Sequence, residues 1–206
     1  MSEAKMDGER DSIWPPYQAF YVQSMLFNST SAVRSILRLD NIFEKLDGRP
    51  PAEGDVPART ILNEFQNMVL QAGALSRYFW PVPKASSIHQ QRGRFLREVF
   101  SFGEESVLCN RDLRNALEHF DERLDKYLKE GIAGIILPEY VGHRLTNDGI
   151  PGHFFRAYFT DEGAFCLLGE EFLMQPLAEA LIGVHNRLSV MDENGGMMRR
   201  FSAEPT

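Results

Sequence analysis

The chain has 206 residues, 43% of them hydrophobic and 25% charged, with 15 Phe and a formal net charge of −7. This length suits one well-filled domain, and the composition excludes a wholly disordered chain. The acidic balance excludes a whole-surface basic field for capturing nucleic acid and leaves only a local patch for that purpose.

Residues 1–13 are polar and read as a disordered N-terminus, and the start MSEAKMDGER lacks the apolar stretch of a secretion signal. No uninterrupted apolar run approaches the ~20 residues of a membrane-spanning helix. The expectation is a cytoplasmic protein with no membrane partner. Two cysteines, Cys109 and Cys166, are too few for a disulfide framework or a four-thiolate zinc site.

Trp14-Pro15-Pro16 opens a segment from Tyr17 to about Leu46, in which Phe20, Phe27, Ile36, Leu39 and Phe43 recur at broadly helical spacing. Asn28-Ser29-Thr30-Ser31 interrupts it and marks a bend or the junction of two helices. A loop dense in Gly and Pro follows, from Asp47 to Gly54. Asp55 then suits the cap of a second helix, with Pro57 in its first turn. Its stripe is Ile61, Leu62, Phe65, Met68, Val69, Ala72 and Leu75, ended by Trp80-Pro81-Val82-Pro83. A third helix runs from about Ser86 or Ser87 to Phe100, with Ile88, Phe95, Leu96 and Val99 on its apolar side. A fourth spans Asn110 to Lys129, and Gly131 stops it.

The period then changes. Ile135-Ile136-Leu137, ended by Pro138, reads as a short strand. His153–Thr160 and Ala164–Met174, joined by Asp161-Glu162-Gly163, read as an antiparallel β-hairpin at about 153–174. Gln175-Pro176 opens a closing helix carrying Leu177, Leu181, Val184 and Leu188 on one face. Residues 191–206 read as a flexible tail. The expected fold is mainly α: an antiparallel helical bundle of four to five helices within a single domain at 14–190, with a small C-terminal β-hairpin and a closing helix.

The fourth helix holds the residues with chemistry in them. Leu113, Leu117, Phe120, Leu124, Tyr127 and Leu128 fall within about 100° of one another and form its expected core face. Asp112, Asn115, His119 and Arg123 form a second stripe pointing away from that face. Arg114 lies about 140° round from His119 and ~7.5 Å along the axis. Only its long side chain, or a second subunit, can bring the two together.

Arg114-Asn115-x-x-x-His119 resembles the R-N/D/H-x-x-x-H signature of HEPN domains (higher eukaryotes and prokaryotes nucleotide-binding). The resemblance covers roughly residues 17–130, and the β-hairpin is an addition to the minimal bundle. It implies a metal-independent endoribonuclease, of a toxin or stress-defence type, working as a homodimer with the two motifs at the subunit interface. On that reading His119 is the acid/base, Arg114 the phosphate stabiliser and Asn115 the orienting group. The residue types suit cleavage by 2′-hydroxyl attack: imidazole moves a proton near neutral pH, and guanidinium holds the charge gathering on phosphate.

Lys84, Arg92, Arg94 and Arg97, with Arg111, supply cations that RNA phosphates can use, or a solvated helix face in an acidic protein. His143, Asp148 and His153 match no familiar zinc spacing, and neither a metal nor a cofactor is expected. The expected partners are a second copy of the chain, RNA and a protein antitoxin. Two other functions fit the same residues: a non-catalytic interaction module built on the motif helix, and a small-ligand or nucleotide site between the helices and the hairpin. Glu118, Asp121, Glu122 and Asp125 crowd acid around the motif and favour the interaction module.

Overall fold

A computed structural model describes residues 13–47, 49–145 and 152–198. The chain is mainly helical. The helices are α1 (Pro15–Leu46), α2 (Ala58–Phe79), α3 (Ser87–Phe100), α4 (Asp112–Glu118), α5 (Phe120–Lys129) and α6 (Gln175–Glu193). The strands β1 (Ile135–Gly142), β2 (Gly152–Phe159), β3 (Ala164–Leu167) and β4 (Glu170–Leu173) separate α5 from α6.

The Asn28–Ser31 run does not break α1, which continues for 32 residues. Its polar side chains bond back to the preceding turn: Asn28 Nδ2 donates to Ser24 O at 3.0 Å and Ser29 Oγ to Leu26 O at 3.3 Å. Such back-bonding lets Ser and Asn sit inside a helix. The inward face also differs from the expected one. Phe20 and Phe27 are exposed; Ile36 and Leu39 are buried, and Val22, Met25, Ser29, Ala32 and Ser35 complete the inward face. Small residues on that face let α2 and α6 approach α1 closely. The buried hydroxyls are satisfied there, Ser35 by Glu64 and Ser29 by His185 Nδ1 at 3.1 Å.

Asp55 does not cap α2, whose N-cap position is Pro57. The carboxylate instead takes Arg49 and the Ala52 amide, which hold its pKa at about 2. In α3 the expected core residue Ile88 is exposed, while Phe95, Leu96, Val99 and Phe100 are buried.

The β-element is larger than a hairpin. It is a four-stranded mixed sheet in the order β1-β2-β3-β4, with β1 parallel to β2 and the other pairs antiparallel. The expected second arm is two strands, because Leu168 and Gly169 both take positive φ (49° and 86°) and turn the chain. Pro138 does not end β1. It sits inside an edge strand, between the paired positions Leu137 and Glu139, where a missing amide hydrogen is tolerated. All four residues of β3 are buried. Phe165 and Leu167 face the helices, while Ala164 and Cys166 join Ala157 and Phe159 on the other side. Tyr158 stacks on Phe65 at 4.1 Å and so fastens the sheet to α2.

The segment after Val190 is not a loose tail as far as Met198. Met191 and Met198 are buried, and the Met198 amide donates to Gln18 Oε1 at 2.7 Å. Gln18 Nε2 in turn donates to Ile13 O at 3.1 Å. Residues 199–206 and 1–12 lie outside the described residues.

Gly93 is where α3 crosses the end of α2. A Cβ there would lie 2.7 Å from Phe79 O and 2.7 Å from Pro81 Cδ. Backbone and ring cannot yield as a flexible side chain would. Gly93→Ala should therefore lower stability by about 1–3 kcal/mol in urea denaturation, despite the better helix propensity of Ala.

Candidate functional site

A helix leaves its last four carbonyls without intrahelical partners, and its C-terminus attracts cations. At the end of α2 these carbonyls are met by arginines. Arg92 Nη2 donates to Arg77 O at 3.0 Å and its Nε to Tyr78 O at 3.4 Å. Arg97 Nη1 donates to Phe79 O, and Arg111 Nη2 to Trp80 O. The Arg92 guanidinium also lies 5.4 Å from the Tyr78 ring centroid, and that of Arg97 lies 6.0 Å from Trp80. Three of the expected phosphate-binding cations are thus engaged with the α2 terminus. Lys84 and Arg94 are exposed.

Asn110 lies just before the motif helix, and its Oδ1 accepts from the Asp112 amide at 2.7 Å. The expected single helix is two. His119 has φ −113° and ψ 31°, outside helical values, and bends the chain between α4 and α5. The ladder still spans the bend, from His119 N to Asn115 O and from Arg123 N to His119 O, both at 3.0 Å.

Arg114 lies against α2 at Gly73, where a Cβ would meet its Cδ at 2.5 Å. Glycine is what admits the stem. The guanidinium donates from Nη2 to Asn115 Oδ1 at 3.0 Å, and Nε lies 3.5 Å from Glu118 Oε2. That approach is an ion pair without hydrogen-bond geometry, and Nε is a buried donor with no acceptor. Glu118 also accepts from Arg77 Nη2 at 2.8 Å. Burial lowers the Arg114 pKa, Glu118 works against that, and Arg77 and Arg111 add to it. Its side chain is only 15% exposed.

His119 is placed differently. Its side chain is 58% exposed, and Nδ1 lies 3.7 Å from Glu122 Oε1. The fold therefore brings Arg114 and Asn115 together and leaves the imidazole outside that cluster. Asn115 bonds the guanidinium, not the ring it was expected to orient.

No residue of α5 is fully buried. The expected core face is half-covered at Phe120, Leu124 and Tyr127, and Leu128 is exposed. Polar contacts tie the helix to the sheet. The Arg156 guanidinium sits 3.7 Å above the Phe120 ring, and Arg123 pairs with Glu170 at 2.6 Å. Tyr127 Oη lies 2.6 Å from His153 Nδ1, while His153 Nε2 lies 3.1 Å from Ala133 O. A carbonyl only accepts, so Nε2 carries the proton and Nδ1 accepts from the tyrosine. His153 is thus a structural link. Among the described residues no three His, Cys, Asp or Glu side chains gather as metal ligands, and Asp148 lies outside them. Nor is any helix among them long and apolar enough to cross a membrane.

No protein-family model, curated protein or solved structure matches this chain.

The sequence names no residues for a small-ligand site between the helices and the hairpin. Beside Arg114, a cavity of about 330 Å³ opens between α2, α4 and the junction of β4 with α6. Ser76, Phe172 and Leu177 line it with Arg111 and Arg114. These residues lie on segments separated by up to a hundred positions, so no local pattern could have signalled them.

The arginine contacts at the end of α2 are testable. Arg97→Met should lower stability by about 1–3 kcal/mol in urea denaturation, because the Phe79 carbonyl is left buried without its donor. Lys84→Met, at an exposed position, should stay within about 0.5 kcal/mol of the parent.

Proposed function

We propose that this chain is a HEPN-like interaction module that pairs with a second copy of itself across α5. The observation that carries the reading is the half-covered apolar face of α5, with Leu128 exposed. Its charges suit self-pairing. Asp121 and Glu122 occupy the first turn and Lys126 and Lys129 the last. An antiparallel pair about a two-fold axis sets the acidic end of each helix against the basic end of the other.

A second reading puts catalysis at the same interface, and the accessible imidazole of His119 favours it. RNA would be cut by its own 2′-hydroxyl, without a metal. His119 would move the proton and an arginine from the facing motif would hold the phosphate. Two features weigh against this. Arg114 would have to leave Asn115 and Glu118, and Glu118, Asp121, Glu122 and Asp125 repel a phosphate backbone. Of the cations expected to meet RNA, Lys84 and Arg94 lie at exposed positions. A protein antitoxin, in either reading, would compete for the α5 face.

Light scattering during size exclusion tests the pairing. The wild-type chain is expected to run as a dimer and Leu128→Glu as a monomer with unchanged circular dichroism. A wild-type monomer at all concentrations overturns both readings. Loss of the dimer in Phe27→Glu but not in Leu128→Glu moves the interface to the exposed aromatic face of α1. Incubation with RNA in excess chelator separates the two readings. Cleavage that falls by about 10²-fold or more in His119→Ala supports the nuclease; no cleavage by the wild type leaves the interaction module.

A further inference from the structure

The cavity beside Arg114 has the composition of a small-ligand site. Its volume, about 330 Å³, lies at the small end of the range for such sites. Val69, Phe172 and Leu177 supply apolar wall, and the polar groups are few. Among them, Ser76 is only 3% exposed, and its Oγ has no hydrogen-bond partner. A serine inside a helix ordinarily satisfies its hydroxyl on the preceding turn. This hydroxyl has almost no accessible surface, so the cations that can meet a ligand in the cavity are Arg111 and Arg114.

Both arginines reach the C-terminal half of α2. Gly73, Ser76 and Trp80 follow one another at three and four residues, on one face of the helix. Arg114 rests on Gly73, and Arg111 reaches Trp80 O. Both arginines line the cavity one turn apart on α4. The local charge is not balanced within the cluster. Glu118 is shared by Arg77 and Arg114, while the acceptor of Arg111 is a neutral carbonyl. Glu171 also lines the cavity and shares Arg144 with Glu162, so Arg77, Arg111, Arg114 and Arg144 face three carboxylates, Glu118, Glu162 and Glu171, and one positive charge is left over.

We propose that this cavity binds a small amphipathic carboxylate, with its apolar body against Val69, Phe172 and Leu177 and its carboxylate against Arg111 and Arg114. A planar carboxylate accepts charge-assisted hydrogen bonds from guanidinium donors, which a neutral amide or an apolar molecule does not match. The ligand enters past Leu173, a lining residue that is 65% exposed. The site is independent of any pairing across α5.

Calorimetric titration of the full chain with octanoate, octanamide and octyl phosphate tests the assignment. Octanoate should bind about tenfold tighter than octanamide, and Arg114→Gln should remove that advantage. Leu173→Trp narrows the entrance while leaving both guanidiniums in place, and should abolish octanoate binding with unchanged circular dichroism. Because Leu173 is a surface residue, that variant serves even where Arg114→Gln fails to fold. Equal affinity for the acid and the amide, no binding of either, or binding undiminished in Leu173→Trp would each overturn the proposal. Tighter binding of octyl phosphate than of octanoate would overturn the carboxylate assignment.

Discussion

The bare carbonyls at the end of α2 govern how the helices of this protein meet. Residues 77 to 80 present four acceptors in succession, and guanidiniums from two later segments fill them. Arg92 and Arg97 come from α3, and Arg111 comes from the residue that opens α4. One helix terminus thereby sets the positions of the next two helices. Each contact also places a positive group where the dipole of α2 is negative. The same device recurs at the end of α3, where Arg187 from α6 donates to Phe100 O. Helix ends met by arginines from elsewhere in the chain are a repeated means of assembly here.

This use of arginine changes the meaning of the cation-rich stretch. A protein with net charge −7 that gathers cations between residues 84 and 97 invites a reading as an anion-binding surface. Two of those cations face backbone carbonyls. Beside them, Arg111 and Arg114 belong to the wall of the cavity. Charge in such a partly enclosed place is screened less than on an open face.

Helix positions were largely legible, because apolar residues at a period near 3.6 mark α2, α3 and α6 without knowledge of their neighbours. Which face of α1 turns inward was not. Phe20 and Phe27 are its most conspicuous apolar residues, yet the buried face runs through Ser29, Ala32 and Ser35. Close approach of two partner helices selects for small side chains, and that depends on partners distant in sequence. The extent of the sheet was hidden for a related reason. Pro138 signals the end of a strand unless the strand is known to be an edge. The motif was legible as residue types but not as geometry. The bend at His119 has no marker in its residue type, and the lock of Arg114 on Asn115 and Glu118 depends on room for its stem at Gly73, 41 positions away. The carbonyl acceptors of the arginines were invisible in principle, since every residue carries one.

The contacts among Ile13, Gln18 and Met198 have a topological consequence. One glutamine side chain bridges residue 13 and residue 198, so these two positions lie side by side. A short peptide could join them there with little loop-closure entropy. The chain could then be reopened between β1 and β2, giving a rearranged order of the same elements in which α1 follows α6 directly.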